Sequence, residues 1–112
     1  MLLCELFQPN HVAWLVQRLT KTMNMTPQQI NNGWCGAFAS RLARKLGKRA
    51  KTVSTTDLDG VFPGHRVVYY EGRYFDAESP EGVTDPKELA YSLRMRRIAA
   101  GEEDFSPEVY DA

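Results

Sequence analysis

Cysteine and histidine are scarce in this sequence, which has only Cys4, Cys35, His11 and His65 among its 112 residues. No Cys-x-x-Cys pair occurs, so a structural zinc site would have too few ligands at useful spacing. We therefore expect neither a metal nor another cofactor. Two cysteines in a chain with no export signal favour free thiols over a disulfide.

Long apolar runs and a basic leader are also missing. The segment Met1–Phe7 lacks the positively charged start of a signal peptide, and no stretch approaches the length of a membrane span. These absences predict a cytoplasmic protein without a membrane partner. The apolar fraction of 43% is that of an ordinary globular chain and argues against general disorder.

The formal net charge is zero, but the charges are unevenly distributed along the chain. Residues 1–101 hold 14 basic and 9 acidic residues, whereas residues 102–112 hold five acidic residues and no basic ones. We therefore predict a single domain over residues 1–101, followed by an acidic C-terminal tail over residues 102–112.

Apolar spacing and turn residues divide the domain into short elements of both kinds. Helical segments are predicted over about residues 10–23, 27–30, 34–46 and 85–101, with Asn10, Thr26 and Asp85 as N-caps. Strands are predicted over residues 51–56, 65–70 and 73–77, and residues 57–60, 62–64 and 79–82 are expected to be turns or loops.

The two-residue loop Glu71-Gly72 determines the register of the hairpin that it closes. Counting back from the loop, Val67 lies opposite Asp76, and residues two apart on a strand share a face. His65 and Asp76 then become diagonal neighbours, close enough for a carboxylate to reach a ring nitrogen. Glu78 would lie directly opposite His65, and it is the rival carboxylate if the register slips.

Cys35 stands at the start of the helix predicted over residues 34–46. The positive end of the helix dipole favours the thiolate, which is the reactive form of cysteine. With His65 as its base and Asp76 orienting that base, Cys35 could attack an amide, ester or thioester carbonyl. The oxyanion would then need donors, and the candidates are the Cys35 backbone N–H and the side chain of Gln29.

Each of these residues also has a purely structural interpretation. A free cysteine is most often a small buried apolar group, and a histidine at the end of a strand is often a surface residue. Asp76 would then cap the loop that follows it, and Trp34 would be part of the core instead of a cleft wall. The combination of Cys35, His65 and Asp76 at a spacing that suits a hairpin favours the catalytic interpretation.

Gln29 and the segment Gly33-Trp34-Cys35-Gly36-Ala37-Phe38-Ala39 resemble the nucleophile segment of papain-like cysteine peptidases. In that family a glutamine precedes the cysteine by six residues, and the cysteine opens a helix. The order Cys35, His65, Asp76 is also similar to transglutaminase-like proteins and to papain-like cell-wall amidohydrolases. The resemblance covers about residues 28–83.

The chain departs from the papain pattern in three ways. Gly36 stands where papain has a tryptophan, Asp76 stands where papain has an asparagine, and the short Cys35-to-His65 gap leaves no room for a full second papain domain. Compact papain-like proteins of phages and bacterial effectors match the same residues equally well.

The resemblance implies an α+β fold with a papain-like core, in which a nucleophile-bearing helix packs on a small antiparallel sheet flanked by N- and C-terminal helices. It also implies a cysteine-nucleophile hydrolase or acyl transferase that acts on an amide bond of a protein or peptide. Peptidase, deamidase and transglutaminase activities all use this chemistry. The roles implied are catalytic for Cys35, His65 and Asp76, oxyanion-binding for Gln29 and cleft wall for Trp34.

The alternative interpretation is a non-catalytic binding or inhibitor protein built on the same core, of the phage or bacterial effector kind. Its basic face would contact a protein or a nucleic acid. Two groups of basic residues supply that face: Arg41, Arg44, Lys45, Lys48, Arg49 and Lys51, and then Arg94, Arg96 and Arg97. Since no recognised nucleic-acid motif accompanies them, nucleic acid ranks below protein as a partner.

Overall fold

The computed structural model describes residues 9–59 and 64–103, which form helices packed on one four-stranded sheet. Its elements are α1 (Pro9–Met23), α2 (Pro27–Asn31), α3 (Cys35–Leu46), β1 (Lys51–Ser54), α4 (Thr55–Asp59), β2 (Arg66–Tyr70), β3 (Arg73–Asp76), β4 (Ser79–Val83), a 3-10 helix (Pro86–Glu88) and α5 (Ala90–Ala99). The sheet is antiparallel, with strand order β1-β2-β3-β4. The predicted α+β class is confirmed.

Several expectations concern residues that lie outside the described ranges. These are the N-terminal segment with Cys4, the turn residues 60–63 and the tail from residue 104 onward. The domain boundary at residue 101 therefore stays a prediction. Within residues 9–59 and 64–103, no helix has both the length and the apolar character needed to cross a membrane.

The core lies between the sheet and the two long helices. Helix α1 contributes one face, α3 contributes a second, and the sheet contributes the side chains that point toward both. The buried members of this cluster are Val12, Val16, Leu19, Ile30, Phe38, Ala39, Leu42, Val68, Tyr70, Phe75 and Ala77. Because α3 packs on β2, the first residue of α3 is brought to the end of β2 where His65 lies.

Local signals explain where the helices begin and end. Thr26 caps α2 through a reciprocal capping box, in which its hydroxyl accepts from the Gln29 N–H and the Gln29 carboxamide oxygen accepts from the Thr26 N–H. Helix α3 ends at Gly47, whose φ of +97° suits glycine. The prediction that Asn10 caps α1 is wrong, because the helix already includes Pro9.

The hairpin has the predicted register. Tyr70 pairs with Arg73 across the Glu71-Gly72 loop, and the ladder continues from there to the pair of Val68 with Phe75. Glu71 and Gly72 both have positive φ, at +52° and +80°, as the tightest two-residue hairpin turns require. The next position along the ladder therefore brings Val67 opposite Asp76.

The prediction of a loop over residues 79–82 is wrong, since these residues form most of β4. Pro80 is tolerated there because β4 is an edge strand, where a missing N–H breaks no interior ladder. Gly82 is required by a close approach: a Cβ at this position would lie 2.7 Å from the Phe75 ring. The proline and glycine thus fit an edge strand that closes over Phe75.

Two further expectations are corrected. Residues 55–59 form the short helix α4 instead of continuing a strand into a turn. Asp85 does act as a cap, accepting from the Lys87 N–H, but it caps the 3-10 helix, and α5 starts only at Ala90. Leu89 separates the 3-10 helix from α5, because its backbone is extended (ψ 140°) and not helical. This conformation accompanies full burial of the Leu89 side chain.

We expect Gly82→Ala to destabilise the fold more than Gly72→Ala. Both glycines have positive φ, which costs an alanine about 1–2 kcal/mol. Only Gly82 faces the Phe75 ring, and overpacking there adds about 1–3 kcal/mol. Urea unfolding of the two variants measures the difference, and equal losses would show that Phe75 does not constrain β4.

Candidate active site

His65 is held in place by its backbone before its ring makes any contact. Its N–H donates to the Thr55 hydroxyl at 3.0 Å, and its carbonyl accepts from the Thr55 N–H at 2.9 Å. These bonds extend the β1–β2 pairing by one residue beyond the Ser54–Arg66 pair. Sequence reasoning missed Thr55, because its full burial depends on how the elements pack and is not visible in the neighbouring residues.

The His65 ring contacts Asp76 as the hairpin register predicts. Nε2 of His65 lies 2.9 Å from Oδ2 of Asp76, and both side chains are essentially excluded from solvent. The second oxygen of Asp76, Oδ1, accepts from the Glu78 N–H at 3.0 Å. Since both carboxylate oxygens are engaged, the carboxylate has one orientation, and so does the ring that it binds.

The Cys35 thiol lies against the same imidazole. It is the first residue of α3 and is half-buried and unpaired with any other cysteine among the described residues. Backbone N–H groups of Arg66 and Gly36 donate to its sulfur. Because Nε2 of His65 is bound to Asp76, Nδ1 is the nitrogen left to face the thiol.

The Cys35 thiol and the His65 ring are not joined by a hydrogen bond of standard geometry. Nδ1 of His65 is buried and makes no hydrogen bond of standard geometry within the described part of the chain. The thiol and the imidazole are nevertheless neighbours, and each shifts the pKa of the other. Catalytic hydrogen bonds are often long in a site without substrate and shorten when it binds.

The two groups favour the thiolate–imidazolium form. Burial by itself raises the pKa of the Cys35 thiol, but the adjacent His65 side chain, the Arg66 N–H and the imidazolium charge together bring that pKa below its usual value. Burial likewise lowers the pKa of His65, but the hydrogen bond and charge of Asp76, together with the adjacent Cys35 sulfur, raise it to about 9. Both shifts act in the same direction, since each favours a thiolate on the sulfur and a positive charge on the ring.

Helix α3 begins without a side-chain cap. Trp34 occupies the N-cap position and has no acceptor to offer to the N–H groups of the first turn. Those donors are directed at the region of the Cys35 sulfur, where negative charge is favoured by the helix dipole. Gly36 has open space where its side chain would be, so an approaching group meets little obstruction at that point.

Tyr91 covers the histidine ring from helix α5. The ring centroids of Tyr91 and His65 are 4.2 Å apart and the planes differ by 28°, which is a stacked arrangement. Tyr91 is itself buried. Sequence reasoning missed it, because no local pattern connects a tyrosine in the last helix with a histidine 26 positions earlier.

Glu78 belongs to a separate buried ion pair and does not contact the histidine. Its carboxylate accepts from Arg94 at 2.7 Å and from the Asn31 amide at 3.2 Å. Arg94 also lies within 5.7 Å of the Tyr91 ring centroid and within 3.5 Å of the Asn32 carboxamide oxygen. This network joins α2, the β3–β4 turn and α5 behind the His65–Asp76 pair.

That network excludes one alternative and corrects one expectation. Glu78 is not the carboxylate that orients His65, since Asp76 takes that position in the expected register. Arg94 is not part of an exposed basic group, because it is buried against Glu78. The other two residues of that predicted basic group are Arg96 and Arg97, and Arg97 forms an ion pair with Glu103.

The two other predicted site residues lie on either side of the Cys35 segment. Trp34 is 47% exposed and directly precedes Cys35, and its predicted role as a cleft wall stays a prediction. The Gln29 carboxamide oxygen is engaged in the capping box of α2, and its predicted oxyanion-binding role stays a prediction.

Neither a metal centre nor a match to known proteins accompanies this arrangement. Within residues 9–59 and 64–103, no group of three or more histidine, cysteine or acidic side chains is placed to hold a metal ion. Comparison with known proteins found no matching family, no matching curated sequence and no matching solved structure.

Asp76→Asn and Asp76→Ala separate the orienting effect of Asp76 from its charge. We expect Asp76→Asn to keep the ring in place but to lower the pKa of His65 from about 9, because an amide no longer stabilises the imidazolium. Asp76→Ala should lose the orientation as well and slow alkylation of Cys35 near neutral pH by at least about tenfold. NMR titration of His65 and the alkylation rate measure the two effects, and identical behaviour of the variants would contradict this assignment.

We expect Arg94→Met to destabilise the fold by about 3–5 kcal/mol, because it leaves the buried Glu78 carboxylate without its counter-charge. The double variant Arg94→Met/Glu78→Gln should recover much of that loss, since it removes both charges. Urea unfolding of the two single variants and the double variant measures the coupling. Additive losses would mean that the two residues do not act as a pair.

Proposed function

We propose that this protein is a cysteine-nucleophile hydrolase or acyl transferase that acts on an amide bond of a protein or peptide. Cys35 is the nucleophile, His65 the base and then the acid, and Asp76 the residue that orients His65. One observation carries the proposal: Asp76 binds Nε2 of a buried His65, which leaves Nδ1 to face the Cys35 sulfur at the start of α3. The cytoplasm is the compartment we propose for it.

Acylation begins from the thiolate–imidazolium pair. The Cys35 sulfur attacks the carbonyl carbon, a C–S bond forms, and the carbonyl electron pair moves to the oxygen. Backbone N–H groups of the first turn of α3 would hold that oxyanion, with the Gln29 side chain as a second donor. Nδ1 of His65 then gives its proton to the leaving nitrogen as the C–N bond breaks, and a thioester remains.

Deacylation reverses the roles of the same groups. His65, now neutral, takes a proton from water or from an acceptor amine as that nucleophile attacks the thioester carbonyl. The C–S bond breaks and the Cys35 thiolate returns beside the imidazolium. Water yields hydrolysis or deamidation and an amine yields cross-linking, so the chemistry of the triad is common to all three outcomes.

The hydrogen bonds that Asp76 makes are those of a residue that orients His65 throughout this cycle. Its carboxylate is fixed by the Glu78 N–H, and Nε2 of His65 keeps its proton toward Asp76 in both halves of the reaction. Proton exchange is thereby restricted to Nδ1, the nitrogen on the thiol side. Stacking of Tyr91 on the ring opposes rotation that would exchange the two nitrogens.

The pH dependence of Cys35 alkylation by iodoacetamide, in a Cys4→Ser background, tests the catalytic pair. We expect the thiol to react as a thiolate well below the ordinary value of about 8.5. The rate should change again near pH 9, where His65 loses its proton and the ion pair ends. Amide hydrolysis should likewise decline as the pH rises through about 9, since His65 then has no proton for the leaving nitrogen.

His65→Ala is the matched variant for this measurement. It removes the imidazolium that lowers the pKa of the Cys35 thiol, so the burial effect dominates and the low-pH reactivity should disappear. A Cys35 that is unreactive or titrates normally in the parent protein would contradict the proposal and favour a binding protein without turnover. Cys35→Ser distinguishes the two functions, because binding survives that change and covalent catalysis does not.

A further inference from the structure

The charges of this chain are segregated in a way that the catalytic site does not explain. Residues 6–56 hold eight basic residues and no acidic one, whereas 13 of the 14 acidic residues lie between residues 57 and 112. Helices α1 and α3 both fall within the first range and pack on each other. The helical layer therefore presents cations to solvent with no carboxylate of its own to neutralise them.

The outer face of α1 carries an aromatic residue among these cations. Trp14, Arg18 and Lys21 recur at helical spacing, on the side opposite the buried Val12 and Val16. Trp14 is 54% exposed, a large apolar surface for a residue in the middle of a helix. The Arg18 guanidinium lies 5.4 Å from the centroid of its ring, which supports the indole from one side.

Grooves extend from both sides of Trp14. One of about 190 Å³ runs toward α3 and is lined by Trp14, Arg18 and Lys45 among others. Another of about 810 Å³ runs toward the β3–β4 turn and is lined by Trp14, Arg18 and Lys21 among others. The carboxylate that reaches the second groove is Glu78, which is already paired with Arg94.

We propose that this surface, formed by Trp14, Arg18, Lys21 and Lys45, binds single-stranded nucleic acid. The cations would neutralise phosphates in the two grooves, and the indole would stack on an unpaired base between them. That combination of a basic groove with an exposed aromatic ring is what single-strand binding requires. An acidic peptide would match the charge but would leave the Trp14 face without a planar partner.

The site is separate from the proposed catalytic triad. Neither groove is lined by Cys35, His65 or Asp76. The Cys35→Ser variant should therefore bind nucleic acid as the parent does. Loss of the catalytic activity should therefore leave nucleic-acid binding intact, and the reverse should also hold.

Fluorescence titration with a thymidine oligonucleotide tests the surface. In Trp34→Phe protein, Trp14 is the remaining tryptophan, and we expect its emission to be quenched as the oligonucleotide binds. Binding should weaken with salt, with a log–log slope that falls by about 0.7 for each phosphate contact removed. Arg18→Gln and Lys45→Gln should each reduce the slope by that amount, and Trp14→Ala should weaken binding by about tenfold or more.

Matched controls locate the site. Lys87→Gln removes one exposed positive charge that lines neither groove and should leave affinity and slope unchanged. Trp34→Ala removes the other exposed tryptophan and should do the same, with oligonucleotide anisotropy as the readout.

Three results would overturn the proposal. They are no binding at low salt, equal losses for Trp14→Ala and Trp34→Ala, and competition by poly-glutamate as effective as that by unlabelled oligonucleotide. The last result would assign the surface to an acidic protein instead.

Discussion

The buried pair of His65 and Asp76 is the constraint on which the rest of this structure depends. A charged imidazole and a carboxylate are costly to remove from water, and each hydrogen bond or opposite charge that the protein supplies reduces the cost. Here the partners come from several elements: Thr55 bonds the His65 backbone, Glu78 donates to Asp76, and Tyr91 covers the ring. A shift of one residue in the hairpin would remove the pair altogether.

A second buried ion pair stands directly behind the first. Arg94 and Glu78 bring α5 to the β3–β4 turn, and Asn31 ties the same carboxylate to the helix that precedes Cys35. A hydrophobic replacement of similar volume could stabilise this region as well, because buried ion pairs gain little over apolar packing. The polar pair differs from apolar packing because hydrogen bonds are directional. They set the positions of α2, the β3–β4 turn and α5 relative to one another, although these elements are far apart in the chain.

Different parts of helices α1 and α3 have different roles in this structure. The uncapped start of α3 places N–H donors and a thiol at the end of β2, where negative charge is stabilised. The outer surfaces of α1 and α3 carry the cations and Trp14, and neither groove beside Trp14 is lined by Cys35, His65 or Asp76. Apolar faces of the same helices hold the sheet, so packing, chemistry and surface charge use different sides of two helices.

Local physical rules allowed much of this to be read from the residues alone. The Thr26-Pro27 cap, the apolar spacing of α3, Gly47 and the Glu71-Gly72 turn are all effects within a few positions of one another. The turn also predicts the His65–Asp76 contact, since hairpin register follows from loop length. These features are local, and so the sequence by itself determined them.

Tertiary structure decided what depends on contacts between distant segments. Residues 79–82 look like a loop because of Pro80 and Gly82, yet they form an edge strand since Gly82 admits the Phe75 ring. Leu89 interrupts the last helix to be buried, and Arg94 leaves the surface to meet Glu78. Tyr91 reaches His65 for the same reason: which side chains share a buried space is settled by how the elements pack, and no short sequence pattern contains that information.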